Sequence, residues 1–406
     1  MKDIYFVLLL ILASINYSCN AKPTQNTGSA NAEPTQLKVG AESFDKYINL
    51  LHGKNVAIVA NQTSIVGDQH LVDTLLAQGI KVKIVFAPEH GFRGTADAGA
   101  YVDNSVDSKT GLPIVSLYGK NKKPNSEQLE GINCVVFDIQ DVGTRFYTYI
   151  STLQYVMEAA ADSNISVIVL DRPNPNGFYV DGPVLDTTLR SFVGMNPIPI
   201  VHGLTVGEYA KMMVGENWLN TNGAIRLTVI PVDGYTHSTL YKLPIKPSPN
   251  LPNSNSIYLY PSLCLFEGTV ISVGRGTDKP FQHIGHPDFK YYPYSFTPKS
   301  VKGAALNPKH KNIPCYGKNL QNYSDQIDHT NMSINLEWLI DFYNEYDYKE
   351  DFFNSFFNKL SGTKDLQSQI KDGLSAEEIK LSWEFDLNEY KKMRKKYLIY
   401  PDFESN

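Results

Sequence analysis

Short runs of β-branched and aliphatic residues recur along the first half of the chain, and each closes on polar side chains. NVAIVANQTS (55–64), KVKIVFAPEH (81–90), NCVVFDIQDV (133–142) and SVIVLDRPNP (166–175) share this form. Unbroken apolar runs of this length suit strands of a parallel sheet covered on both faces. Between them, HLVDTLLAQG (70–79) and RFYTYISTLQYVMEAAADSN (145–164) place apolar residues at helical spacing. Gly79 supplies a stop for the first helix, and Asn164 lies near the end of the second. Strand alternating with helix predicts an open α/β layer over 37–235, with RLTVIPV (226–232) as a further strand.

The pattern changes near 240. KPSPNLPNSNSIYLYPS is rich in Pro, Asn and Ser and reads as loop. LCLFEGTVISVGRGTDKPF sets Glu267, Arg275 and Asp278 among glycines, and the tail from 334 returns to amphipathic helical patterns. The Lys/Arg run near the end reads as a solvated face that also suits a helix C-terminus. The expected organisation is therefore a Rossmann-like open parallel sheet over 37–240, then a smaller α+β auxiliary domain over 241–406. A cleft between such parts is a common ligand site.

The N-terminus adds a compartment. One Lys, an apolar run from Ile4 to Ile15 and a small-residue stretch before Cys19 read as a signal peptide over 1–19. The run is shorter than the ~20 residues a spanning helix needs. Tyr-Ser before Cys19 resembles a lipoprotein cleavage box, although Asn16 stands where Leu is usual; the alternative is plain secretion. Residues 20–36 read as a flexible tether. The expected location is exported, as a periplasmic or outer-membrane lipoprotein touching the membrane only through Cys19.

Composition narrows the chemistry. A net charge of −5 over 406 residues gives no basic footprint for nucleic acid. NQTSIVGD after the first run is not a Gly-x-Gly-x-x-Gly turn, and neither a Walker sequence nor a Gly-x-Ser-x-Gly elbow occurs. Cys134, Cys264 and Cys315 follow no zinc spacing, and Cys134 and Cys264 sit in apolar runs as core thiols. Asp138, Asp141 and Asp171 with His90 form an oxygen-rich set that a hard metal would accept, but no HExxH pattern supports zinc, and no metal or cofactor is expected.

The polar strand ends carry the functional reading, because open α/β sheets bind ligands outside the carboxyl ends of their strands. Glu89, in PEHG, is the candidate acid; such a role needs its pKa raised from ~4.3 toward 6–7. Burial near Asp138 or Asp171 would raise it, and an adjacent Arg would lower it. The alternative is Glu89 paired with Arg93 as scaffold. Arg145, Arg172 and Arg275 offer planar forks for a substrate carboxylate, or for loop carboxylates.

APEHGFRG, SLYG (116–119), FDIQDVGTRFYTYI, LDRPNPNG, DGPVLD (181–186), HGLTVGE (202–208), PSPNLP (247–252), LFEGT (265–269), GRGTDKPF (274–281) and KYLIY together resemble the exo-β-N-acetylmuramidases, a bacterial glycosidase family. The likeness runs from about 40 to 400. Leu204 and Leu251 stand where Met is expected, and Val273 where relatives often carry Glu. The resemblance implies a Rossmann-like domain, an auxiliary domain and a cleft between them. It also implies release of terminal N-acetylmuramic acid from the non-reducing end of MurNAc-GlcNAc saccharides derived from peptidoglycan. The PEHG glutamate carries over to Glu89 as the catalytic residue. His90, Asp138, Asp171 and Glu267 join it as candidates, with Arg93, Gln140, Arg145, Tyr147, Arg172, Asn174, Asn250 and Arg275 for substrate binding. The partner of Glu89 is left open among Asp138, Asp171, Glu267 and the substrate's own acetamido group. The rival expectation is a lipoprotein that binds muramyl sugars without cleaving them.

Overall fold

The computed structural model describes residues 37–89, 91–93 and 105–404. The expected signal peptide and tether, with Cys19, and the candidate His90 lie outside these residues. The apolar runs form strands as expected: β1 (Asn55–Ala60), β4 (Lys81–Ala87), β7 (Cys134–Asp138), β8 (Ser166–Leu170) and β9 (Leu227–Ile230). A hairpin of β2 (Ile65–Val66) and β3 (Gln69–His70) follows β1, and β5 (Ser105–Val106) and β6 (Pro113–Ser116) complete the sheet edge. The seven-stranded order is β5-β6-β4-β1-β7-β8-β9, parallel except for β5 against β6. The chain builds outward from β1 on one side, then resumes at β7 on the other. The turn-around point thus lies between β1 and β7, where such sheets open a crevice.

The period-two geometry of the strands sorts their side chains into two cores. Val56, Ile58, Val136, Ile168 and Leu170 pack beneath α1 (Phe44–Leu51) and α2 (Leu71–Ala77). Ala57, Val59, Phe137, Val167 and Val169 face α3 (Tyr149–Asp162) and α4 (Val206–Gly215). The second core continues unbroken into α5 (Ser254–Leu263), α6 (Glu337–Glu345) and, past the short α7 (Phe357–Ser361) and α8 (Asp365–Lys371), α9 (Ala376–Lys395). Beside it lies a small antiparallel sheet, β10-β12-β11, of β10 (His283–His286), β11 (Tyr294–Phe296) and β12 (Cys315–Asn319).

Three elements depart from the sequence expectation. The helix expected from Arg145 begins at Tyr149, because the Arg145 amide donates to Ile200 and Thr144 pairs with Val201. The Pro/Asn/Ser-rich stretch expected as loop contains α5. Asn253 caps it by accepting from the Ser256 amide, and Pro261 lies inside it. Proline leaves the carbonyl four residues back without its donor. That carbonyl, Ile257, receives Asn176 Nδ2 at 3.2 Å instead. In the basic run closing α9, Lys392 and Lys396 face solvent, but Arg394 is fully buried, paired with Asp402 at 2.9 Å and donating to the Gly203 carbonyl.

The chain end is tied to the sheet through Asp171, just past β8. Its carboxylate accepts from Tyr400 Oη (2.6 Å), Thr205 Oγ1 (2.7 Å), the Gly207 amide (2.8 Å) and the Arg172 amide (3.0 Å). Burial pushes its pKa up to about 6 against these donors. A Cβ at Gly207 would sit 2.7 Å from this carboxylate, so α4 approaches it only through glycine. Tyr400 Oη also accepts from the Val232 amide at 2.9 Å. Tyr400→Phe is expected to cost about 1–3 kcal/mol by leaving buried partners unpaired; urea unfolding of the two proteins checks it, and an unchanged midpoint would deny the chain end this role.

Candidate active site

β4 ends at Ala87, and Pro88 turns the chain so that half-buried Glu89 leaves the sheet edge. Tyr118, two residues beyond β6, hydrogen-bonds to the Glu89 carboxylate; burial, then the Glu89 charge, push its phenol up to about 12. Tyr149 Oη lies 3.5 Å from the Glu89 carbonyl and 3.4 Å from that of Pro247. Tyr147 Oη donates to the same Pro247 carbonyl at 2.9 Å, and Gln62 Nε2 does so at 3.1 Å. One backbone oxygen thus gathers the β1 loop, the approach to α3 and the Ser248–Leu251 turn.

Glu89 opens into a cavity of two lobes. The smaller, of about 160 Å³, lies among Tyr147, Tyr149, Asn250, Tyr260, Phe281 and Phe356. The larger, of about 680 Å³, is walled by Tyr118, Ile271, Val273 and residues 304–309. Glu89, Glu267 and Arg275 line both lobes and so stand at their junction. Glu267 comes from the 3₁₀ turn Cys264–Gly268 and pairs in a fork with Arg275, Nε–Oε1 2.5 Å and Nη2–Oε2 3.0 Å. Arg275 also lies over the Phe281 ring. Its flanking glycines are both left-handed, Gly274 at φ 75° and Gly276 at φ 83°. A Cβ on Gly274 would strike the His283 ring at 2.1 Å, so the turn that presents Arg275 requires glycine there.

The structure brings Glu89, Glu267, Arg275, Tyr147 and Asn250 to one cavity; His90 lies outside the described residues. The other candidates are placed elsewhere. Asp138, fully buried, holds Arg172 in a fork at 2.6 and 3.0 Å, and Arg172 also donates to the Ile65 carbonyl. Arg172 thus ties the end of β7 to β2 beside the turn-around point. Gln140 Nε2 donates to the Asp141 and Pro173 carbonyls, and Asn174 Nδ2 to that of Leu204. Asp171 is occupied by its four donors.

Arg145 is fully buried among carbonyls: Nη1 donates to Pro183 and Ile198, Nη2 to Leu360 and Ser361. Burial lowers its pKa to about 9. It staples the approach to α3 to the α7 end. Arg93 reaches Asp107 (2.8 Å) and Asp73 (3.0 Å), so the expected alternative pairing with Glu89 is replaced by these two acids. Among the described residues, no group of three or more His, Cys, Asp or Glu side chains is arranged to hold a metal.

Sequence reasoning passed over Tyr118, Tyr149, Tyr260, Phe281, Phe356 and Lys309 as site residues. Tyr118 and Tyr149 carried a signal, since both stand in the SLYG and RFYTYI stretches at the same sheet edge. The others come from segments whose proximity only tertiary structure reveals.

Two family models match the chain: the N-terminal region of exo-β-N-acetylmuramidase NamZ over residues 56–255, and its C-terminal region over 258–400. A relative from Bacillus subtilis (strain 168), peptidoglycan β-N-acetylmuramidase NamZ, is 36% identical, and the alignment spans 98% of this chain and 100% of that protein. A crystal structure of a DUF1343 family protein from Bacteroides fragilis superposes with a TM-score of 0.84 at 48% identity, over 91% of this chain and 100% of that one. A second from the same organism gives 0.72 at 28% identity, over 90% and 99%.

Arg93 anchors the segment carrying Glu89, and its pairing has a pH signature. The Arg93 guanidinium holds the Asp107 carboxyl well below the usual carboxylate range. Against that residue's burial, Arg93 and Lys109 together also lower the pKa of Asp73. A depressed folded-state pKa gives stability that is present above about pH 4 and lost as pH falls further. Arg93→Met is therefore expected to lower stability by about 1–3 kcal/mol at pH 7 and to flatten the loss between pH 5 and 3. Urea midpoints across that range check it; parallel curves for the two proteins would contradict the pairing.

Proposed function

Because this chain belongs to the NamZ exo-β-N-acetylmuramidase family, we propose that it hydrolyses the bond to a terminal β-linked N-acetylmuramic acid at the non-reducing end of peptidoglycan fragments, with Glu89 as proton donor. The observation that carries this reading is the position of Glu89, Glu267 and Arg275 at the junction of a small lobe and a large one. An exo-acting glycosidase needs a confined space for the end sugar, an open space for the rest, and its acid where the two meet. The small lobe, with its aromatic walls, takes the terminal ring; the large lobe takes the remainder.

Of the carboxylates considered as partner to Glu89, Glu267 shares the cavity, whereas Asp138 and Asp171 are engaged by Arg172 and by Tyr400 and Thr205. Glu267 thus faces the sugar from the auxiliary side and stabilises positive charge developing at the anomeric carbon or orients the attacking group. Arg275 is the guanidinium on the cavity wall, positioned to recognise the lactyl carboxylate of muramic acid. In this reading residues 37–240 supply the acid and residues 241–406 the ion pair. The N-terminal leader exports the protein, and Cys19 anchors it. A purely sugar-binding role is not favoured, since the full-length relative is named as an enzyme.

Glu89→Gln keeps the shape of the side chain and removes the proton. Its turnover of a chromogenic N-acetylmuramide is expected to fall by a factor of about 10²–10⁴, with an unchanged circular dichroism spectrum. A folded variant with near-wild-type release of sugar would take the acid role from Glu89.

A further inference from the structure

The backbone around Glu267 is held in an unusual way. Lys309, on the wall of the large lobe, points its ammonium at three carbonyls: Phe266 at 3.3 Å, Thr269, and Ile271 at 3.0 Å. An ammonium has three N–H groups, and all three are used on backbone. The next residue, His310, has Nε2 2.7 Å from the Val270 carbonyl. On the opposite side Asn354 donates its amide to Gly268 (2.9 Å) and its side chain to Glu267 (3.3 Å). Every carbonyl from Phe266 to Ile271 is therefore taken by one of three residues. A loop carbonyl normally turns to water; here the segment is clamped from both sides. The Glu267 side chain then has one orientation from which to meet Arg275.

We propose that Lys309 is a positioning residue, which fixes the Glu267–Arg275 ion pair at the lobe junction by clamping the backbone on both sides of Glu267. The proposal rests on the glycosidase reading for its consequence in turnover, but the clamp itself belongs to the free protein.

The chemistry of the clamp makes it sensitive to alkali. Burial lowers the Lys309 pKa to about 8, while the Glu267 charge opposes the shift. Below that value the ammonium presents three donors; above it the amine keeps two, and one carbonyl is released. Glu89, Tyr118 and Arg275 share the lobe wall with it, and burial pushes the Tyr118 phenol up to about 12. His310 is pushed down by burial, although its bond to Val270 opposes this. His286, whose ring lies 4.7 Å from that of His310, is lowered to about 4, chiefly by burial. Asp288 lies 3.4 Å from His286, and Glu267 completes the set. The proton donor Glu89 gives activity a descending limb of its own as it ionises; Lys309 is accordingly expected to add a second step to the fall as pH passes about 8.

Lys309→Met and Lys309→Arg test this against the unaltered protein, by kcat and KM from pH 6 to 10 and by amide hydrogen exchange over residues 266–271 without substrate. Lys309→Met is expected to lose about 10–100-fold in kcat at pH 7 with KM changed less than threefold, to lack the second step, and to exchange faster at 268–271. Lys309→Arg, charged throughout the range, is expected to recover part of kcat and also to lack the second step. A Lys309→Met protein with wild-type kcat, the same second step and unchanged exchange would overturn the proposal. If Lys309→Met does not fold, Lys309→Arg decides alone: an unmoved second step overturns it. If the wild-type protein releases no sugar, faster exchange in the variants upholds the clamp while the glycosidase reading fails.

Discussion

A sheet buried on both faces pushes its polar side chains to the rim, where each must find a partner or face water. This constraint governs the molecule. At the carboxyl edge, Asp138 and Arg172 take each other, Gln140 and Asn174 take backbone carbonyls, and Asp171 collects four donors. The polar groups at the turn-around point, which sheet topology marks for a ligand, are thereby paired within the protein itself. Glu89, just past the neighbouring strand β4, is met by Tyr118 and faces a cavity. The open site is displaced by one strand from where topology alone would put it.

The rest of the cavity is brought from far along the chain. Arg145 pins the approach to α3 against the α7 end, 215 and 216 residues away. The Pro247 carbonyl collects Gln62, Tyr147 and Tyr149. Asn176 supplies the donor that Pro261 lacks inside α5. Each device uses a neutral backbone oxygen as the acceptor, so the two parts of the chain are joined largely without matched charges. The charged groups left at the lobe junction are those a sugar would meet.

Much of the fold was legible because its signals are local. β-branched runs declare buried strands, and the spacing of apolar residues between them declares helices. The errors arise where a distant partner decides. Arg145 continues an apolar spacing, yet its amide bonds to Ile200, and the helix waits until Tyr149. The composition of α5 argues loop, but tertiary burial and Asn176 overrule it. The arginines were the hardest to assign. A guanidinium looks the same in sequence whether it grips a substrate carboxylate or a carbonyl two hundred residues away. Of four candidates, Arg275 faces the cavity, while Arg93, Arg145 and Arg172 are held within the protein. Glu89 was readable because a buried strand has no packing use for the residues that follow it.

The bond from Tyr400 to Asp171 spans 229 residues. A chain emerging from a ribosome at ~5–20 residues per second exposes Asp171 many seconds before Tyr400 is synthesised. During that interval the carboxylate just past β8 lacks one of its donors. This contact is thus deferred until α9 has been synthesised.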